Sequence, residues 1–198
     1  MKYSLASLCV LPALLLAGCG SPPNSAQYVD PNGPRTIVSL NQIDIQDFNN
    51  AGNAMVQDLL NSGVLEKAPQ QPAVLAISRI TNDTTQQFDT DMLIKNIRVA
   101  LLNTGKVVTT TTFGTNAEDK MAQDAGNMQA FMNGQSQPTR IPYYTLSGKI
   151  LVSTAKAGDV YQRTYIFQLS MTEVSSGNAV WEDQKEITKQ GQKPAIGW

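Results

Sequence analysis

The strongest constraint on the fold is the alternation of apolar and polar residues in the C-terminal third of the chain. Two apolar sets, separated by a turn at residues 157–159, recur at two- and four-residue spacing. Residues two apart in a β-strand lie on one face, so each set predicts a half-buried strand. The sets are Tyr144, Leu146, Ile150 and Val152, then Tyr165, Phe167, Leu169 and Met171. A second turn at residues 175–178 leads into a third predicted strand at residues 179–187, with Trp181 in the core.

The preceding segment predicts two helices alternating with two strands. The first helix is capped by Asp47 and the second by Asp89 or Thr90, and Gly105 ends the second. The strands are predicted at residues 73–80 and 106–112, where short apolar or β-branched runs occur. Together with the C-terminal strands they predict one α+β domain over residues 42–198, a small, mostly antiparallel sheet flanked by helices.

A third, weaker helix is predicted to begin at Asn116. Its apolar residues repeat at helical spacing, and they are Ala117, Met121, Ala125, Met128 and Met132. Methionine is flexible and fills irregular gaps in cores. We therefore expect this stripe to face the core; a ligand-binding surface is the alternative.

The N-terminus has the organisation of a secretory signal. Lys2 precedes an apolar run from Leu5 to Leu16, which is too short to span a bilayer and is followed by Ala17, Gly18 and Cys19. This site resembles the lipobox of bacterial lipoproteins. The resemblance implies a signal peptide at residues 1–18 and acyl chains on Cys19, which anchor far more strongly than a single myristoyl group.

Residues 19–41 predict a lipidated, flexible tether, because prolines and small polar residues dominate and large apolar residues are almost absent before Ile37. In lipoprotein sorting, an aspartate directly after the cysteine commonly retains the protein at the inner membrane. Gly20 and Ser21 stand there instead. We expect the chain to lie at the outer membrane, facing the periplasm.

The composition excludes the commonest catalytic and metal sites. The chain has no histidine, Cys9 leaves with the signal peptide, and Cys19 carries the lipid. Ser-His and Cys-His mechanisms, thiolate metal sites and the usual zinc ligands are therefore excluded, and no phosphate-binding or dinucleotide-binding glycine motif occurs. Removal of the signal leaves 14 basic against 16 acidic side chains, which gives no electrostatic footprint for nucleic acid. We expect no cofactor, no metal and no small-molecule substrate.

Carboxylate pairs are the remaining candidates for an enzyme. Asp89 with Asp91 and Glu118 with Asp119 lie at predicted helix starts, where acidic residues favour the helix dipole. Residues 153–156 match the Ser-x-x-Lys pattern of penicillin-binding enzymes, but they end a predicted strand and lack the partner motifs. The chain is therefore predicted to be a binding protein and not an enzyme.

Four segments occur in order along the chain: Ile80–Thr84, Leu93–Lys106, Tyr144–Gly148 and Ser176–Trp181. Through this ordered set, together with the lipobox, most of the chain from Asp47 to Lys189 resembles the LpoB family of outer-membrane lipoproteins that activate peptidoglycan synthases. The resemblance implies a fold like the N-terminal domain of TolB, and a bifunctional class A penicillin-binding protein of the inner membrane as the partner. The tether is shorter than in the family's best-known members. An envelope-binding or assembly lipoprotein of similar fold, with another periplasmic partner, is therefore the alternative.

A partner-binding surface is predicted on the face of the hairpin opposite its core residues. Three apolar residues, Tyr143, Leu151 and Ile166, occur there among polar ones. An apolar cluster with a polar rim is typical of an interface centre. The alternatives are that a helix covers this face, or that the three are isolated surface residues.

Overall fold

A computed structural model of the chain describes residues 26, 28–31, 33–115, 117–135 and 141–192. The predicted signal peptide and the predicted lipidation site, Cys19, lie outside the described residues. The helices are α1 (Ile45–Asn61), α2 (Asp91–Asn103) and α3 (Lys120–Met132), with a 3-10 turn at Leu65–Lys67. The strands are β1 (Ala73–Asp83), β2 (Val107–Thr110), β3 (Tyr144–Ala157), β4 (Val160–Glu173) and β5 (Ala179–Gln192).

The five strands form one mixed sheet in the order β2-β1-β3-β4-β5. β1 is parallel to β2 and to β3, while β3, β4 and β5 form an antiparallel meander. The parallel pair β1–β2 is joined through α2, as the predicted strand-helix-strand unit requires. The α+β class is confirmed, and the likeness to TolB stays a prediction.

α1 and α2 pack together on one face of the sheet and enclose the core. Phe48 of α1 lies edge-on to Phe167 of β4, with ring centroids 6.0 Å apart. Trp181 packs against this core, as predicted. At Gly148 of β3 the neighbouring strand β4 approaches so closely that an added Cβ would lie 2.7 Å from the Leu169 side chain and 2.8 Å from the Gln168 carbonyl oxygen.

The predicted start of α2 agrees with the structure, whereas the predicted start of α1 does not. α2 begins after Thr90, and Gly105 beyond its C-terminus has a φ of +68°, a left-handed conformation that favours glycine. α1 begins earlier than predicted, because Asp44 and not Asp47 is its N-cap. Asp47 lies in the first turn, and its carboxylate accepts a hydrogen bond of 2.7 Å from the Asp44 N–H.

The prediction that the apolar stripe of α3 faces the core is wrong. The helix is capped by Asp119, whose carboxylate accepts a 2.9 Å hydrogen bond from the Ala122 N–H. Its three methionines, Met121, Met128 and Met132, are exposed and not in the core. A 3.6-residue period identifies side chains that share a face, but it does not say whether that face points inward.

Candidate functional site

Leu151 and Ile166 lie side by side on the face of the sheet that α1 and α2 leave uncovered. The register of β3 and β4 places them directly opposite each other, and both are half-buried. Asp83 of β1 is the partner of Leu151 on one side, and Glu186 of β5 is the partner of Ile166 on the other. The apolar pair therefore sits between two carboxylates.

Polar contacts surround the pair. The Lys149 ammonium forms an ion pair of 2.8 Å with the Asp83 carboxylate, and both groups are about half exposed. Farther across the face, the hydroxyls of Thr164 and Thr188 are 2.9 Å apart. This open face is thus polar with a small apolar centre.

Tyr143 lies at the other end of the sheet, away from that centre. It precedes Leu151 by eight residues, which at about 3.3 Å per strand residue corresponds to roughly 26 Å. The structure therefore brings together two of the three predicted residues. Tyr143 instead lines an apolar cavity of about 380 Å³ with Pro69, Val74 and Val174 among its walls.

The hydroxyl of Tyr143 is held at the rim of this cavity. It donates a hydrogen bond to the Glu173 carboxylate. That bond, with smaller contributions from burial, raises the pKa of Tyr143 to about 12. Hydrogen bonds from Ser176 and then from Tyr143 hold the pKa of Glu173 below its usual value. The ring also lies edge-on to Tyr144 at 4.6 Å, so its position is fixed on two sides.

The cavity itself could not be identified from the sequence. Its walls come from the loop before β1, the start of β1, residues 141–143 and the turn after β4. These segments are far apart in the chain and carry no shared motif. Each segment contributes apolar residues without periodicity, so nothing in the sequence indicates that they line one cavity.

At the opposite end of the sheet, buried Lys189 fastens the segment that leads into α1. Its ammonium donates to the carbonyl oxygens of Ser39 and Gln42, at 3.1 and 2.9 Å. It also forms ion pairs of 2.8 Å with Asp44 and 2.5 Å with Asp47. Burial alone would lower the pKa of Lys189, but the two carboxylates outweigh it and raise the pKa above its ordinary value.

This contact fixes where the N-terminal segment joins the domain. In the strand register, Lys189 of β5 lies opposite Arg163 of β4. Arg163 lies opposite Thr154 of β3, near the tip of the β3–β4 hairpin. Arg163 donates a 3.1 Å hydrogen bond to the Asn41 carbonyl. Thr154 follows Tyr143 by eleven residues, or roughly 36 Å of strand. The apolar cavity and the point where the N-terminal segment joins therefore lie at opposite ends of the sheet.

Three of the four carboxylates considered for catalysis have structural partners. The Asp89 carboxylate accepts a 2.9 Å hydrogen bond from the Asp91 N–H, and Asp119 caps α3. Glu118 is paired with Arg98 and Lys95, and the hydrogen bond from Arg98 is the main reason that the pKa of Glu118 is lowered. Asp119 thus has the capping role expected at a helix start, Asp89 bonds the first residue of α2, and Glu118 is engaged in ion pairs with α2.

The described residues contain no group of three or more side chains suited to hold a metal ion. Within the same ranges, no helix has the length and apolar character needed to cross a bilayer.

Comparison with solved structures finds chains that are similar to this one. The C-terminal domain of LpoB from Escherichia coli is 17% identical, with a TM-score of 0.43, and the match covers 71% of this chain and 98% of that one. The corresponding domain from Salmonella enterica is 15% identical, with the same coverage and TM-score. Lipoprotein GNA1162 from Neisseria meningitidis is 12% identical over 63% of this chain and 88% of that one, with a TM-score of 0.40.

No curated protein sequence is significantly similar to the chain. A family model, described as peptidoglycan-synthase activator LpoB, matches residues 47–187, which is well over half of the chain. That description is of a regulator that acts on an enzyme, and it confirms the prediction of a non-enzymatic protein. The resemblance drawn from the sequence is confirmed as well: the chain belongs to the LpoB family of peptidoglycan-synthase activators.

Proposed function

We propose that the protein is an outer-membrane lipoprotein, anchored through Cys19 and facing the periplasm, that binds and activates a bifunctional class A penicillin-binding protein. The observation that carries the proposal is the family match over residues 47–187. The Leu16–Cys19 processing site supports the anchor. Replacing Cys19 by Ser tests it, since the variant should leave the membrane fraction and the unmodified chain should not.

The apolar cavity beside Tyr143 is the surface that we propose for the synthase. The tether joins the domain at the far end of the sheet, so the cavity is directed away from the anchored membrane when the domain is extended on its tether. A partner that projects from the inner membrane would reach this end first. The cavity is apolar and has a polar rim at Tyr143 and Glu173, as interface centres commonly do.

The pair Leu151 and Ile166 forms a second proposed contact. It lies on the uncovered face of the sheet and has carboxylates on both sides. Two half-buried residues are too few for an interface centre of their own, and Tyr143 lies at the other end of the sheet. We therefore assign them to a secondary contact, separate from the cavity, where a single substitution changes affinity little.

The activation assay is glycan polymerisation by a purified class A synthase with and without the mature chain. We expect the chain to raise the rate and to polymerise nothing alone. Tyr143→Ser should reduce the stimulation at least about tenfold, whereas Tyr28→Ser, at a fully exposed tyrosine outside the domain, should leave it unchanged. Absence of stimulation across several class A synthases would rule out the activator role.

The short tether favours a second candidate, an envelope-binding or assembly lipoprotein with another periplasmic partner. About 20 residues separate Cys19 from Ser39, the first residue held by Lys189. As a flexible coil they span about 25 Å on average. Cross-linking in intact cells, followed by identification of the captured protein, distinguishes a synthase from such a partner.

A further inference from the structure

The apolar face of α3 has no partner within the described chain. Four large side chains of this helix are exposed: Met121 by 83%, Met128 by 62%, Phe131 by 81% and Met132 by 77%. α3 makes no extensive contact with any other described helix or strand. Three of the four belong to the one helical stripe that the sequence marks as apolar.

The helix leans on the domain with its opposite side. Gln123 donates hydrogen bonds of 2.9 and 3.1 Å to the carbonyl oxygens of Thr112 and Gly114. Ala130, two turns farther along, is the buried residue of the helix. At 100° per residue, the side that contains Gln123 and Ala130 points away from the methionine side. The orientation is thus fixed by these contacts, and the methionines are held outward.

An exposed helix of this kind requires a cover. Isolated helices shorter than about 12–15 residues are marginal in water, and most helical stability in proteins comes from packing of an apolar face. α3 has 13 residues and includes Gly126 in its interior, a residue that weakens a helix. Packing of the methionine face against another surface would supply the missing stabilisation.

We propose that this face pairs with α3 of a second copy of the chain, in antiparallel orientation. The apolar stripe follows the heptad spacing of a helix-helix seam, with Met121, Ala125, Met128 and Met132 at alternating steps of four and three. Reversing the helix places Met121 opposite Met132 and Ala125 opposite Met128. Each small residue then faces a large one, and the seam is complementary to itself, as a two-fold interface requires.

The flanking residues agree with this register. Phe131 and Ala122 lie on opposite flanks of the stripe, so Phe131 is at the edge of the seam. The two charged residues of the helix, Lys120 and Asp124, both lie in its N-terminal half and meet the uncharged C-terminal half of the other copy. A parallel pair in register would instead place both Lys120 side chains at one level of the seam and both Asp124 side chains at another, which brings like charges closer.

The area is sufficient for a modest interface. At about 150–250 Å² for a large side chain, the four exposed residues offer on the order of 600 Å² per copy. Two copies would bury on the order of 1,200 Å², at the lower end of the range for specific interfaces. The contact is independent of the Tyr143 cavity and of the synthase proposal.

Disulfide cross-linking of the full chain in cell envelopes tests both the pairing and its direction. The variant with Met121→Cys and Met132→Cys should give a covalent dimer on oxidation. In this register the thiol at position 121 of one copy faces the thiol at position 132 of the other. Met121→Cys alone or Met132→Cys alone should not exceed the unmodified chain. Residues 121 and 132 are eleven positions apart, so like positions in an antiparallel pair are separated by about 16 Å, well beyond disulfide reach.

Adding Met128→Ser and Phe131→Ser to the double-cysteine chain should lower the dimer yield at least about tenfold. Met92→Ser, at a partly exposed methionine of α2, is the matched control and should leave the yield unchanged. None of these side chains lies in the core, so circular dichroism should show a folded protein throughout. Three results would each overturn the proposal: no dimer from the double-cysteine chain, equal yields from single and double variants, or a cross-link to a different protein instead.

Discussion

Lys189 is a charged side chain that is only 7% exposed, and its environment stabilises the charge. Two carboxylates and two carbonyl oxygens surround the ammonium. Asp47 is buried as well. Removing the cation would leave the two carboxylates without their counter-charge, and the loss of one partner from a buried pair costs far more than the pair itself contributes.

We therefore expect Lys189→Met to lower the free energy of unfolding by about 3–5 kcal/mol. The matched control is Lys149→Met, which removes the exposed ion pair with Asp83 and should cost at most about 1 kcal/mol. Urea denaturation at pH 7 measures both. Equal effects of the two substitutions would contradict the structural role assigned to Lys189.

Tyr143 should titrate abnormally, and Glu173 should be the reason. The folded protein holds the phenol proton up to a pKa of about 12, whereas the ordinary value is 10.0. Glu173→Gln removes the main cause and should bring the pKa of Tyr143 back toward 10. NMR titration of tyrosine labelled with ¹³C at Cζ follows the change, and Tyr143→Phe assigns the resonance.

The same shift has a consequence for stability at high pH. Above pH 10 the unfolded chain releases the Tyr143 proton and the folded chain retains it, so the free energy of unfolding falls as the pH rises from about 10 to about 12. Tyr143→Phe should reduce this dependence. A variant with the unmodified slope would show that the hydrogen bond to Glu173 does not form in solution.

Two glycines, one inside α3 and one after α2, should respond in opposite ways to substitution by alanine. Gly126 lies inside α3 with a normal helical backbone, and Gly105 follows α2 with a φ of +68°. An added Cβ meets no atom within 4 Å at either position. The backbone conformation alone therefore decides the sign of the effect.

Gly126→Ala should stabilise α3 by about 0.5–1 kcal/mol, because alanine loses less backbone freedom. Gly105→Ala should destabilise the domain by about 1–2 kcal/mol, because the left-handed conformation penalises a Cβ. Slower amide hydrogen exchange in α3 measures the first effect and urea denaturation the second. A stabilising Gly105→Ala would refute the turn geometry.

The elements differ in how far the sequence predicts them. The alternating strands β3 to β5 and the amphipathic α1 and α2 follow from spacing, because in each the apolar residues face the single core. α3 has the same kind of spacing, yet its stripe points outward. Its contacts through Gln123 and Ala130, which carry no periodic signal, decide the orientation.

The candidate binding residues illustrate a related difference. Strand parity correctly places Leu151 and Ile166 on the uncovered face, and only the register of the hairpin makes them neighbours. The alternation of strand residues between the two faces carries no information about distance along the strand. Tyr143 therefore lines a different surface, the cavity at the other end of the sheet. The Lys189 contact was missed for a similar reason: a lysine in a strand gives no sign that carboxylates about 145 residues earlier in the chain will surround it.

For the whole molecule, the length and attachment of the N-terminal segment govern what the domain can reach. The segment from Cys19 to Ser39 extends to at most about 70 Å and averages about 25 Å. The Tyr143 cavity adds roughly 36 Å of strand beyond the point where Lys189 holds that segment. An anchored domain therefore presents the cavity at the far limit of its reach, and contact with an inner-membrane synthase depends on tether length.

Deletion of residues 20–29 should accordingly reduce in-cell cross-linking between the chain and its synthase. The deletion halves the maximum extension to about 35 Å and lowers the effective concentration at which the domain meets a distant partner. Insertion of forty Gly/Ser residues at the same place should increase the cross-linking, since a tether that is too short to span the distance to the partner prevents contact. Replacement of residues 20–29 by ten Gly/Ser residues keeps the length and should preserve it. If the deletion leaves cross-linking unchanged while the Cys19→Ser chain loses it, anchoring matters but reach does not, and the partner lies close to the outer membrane.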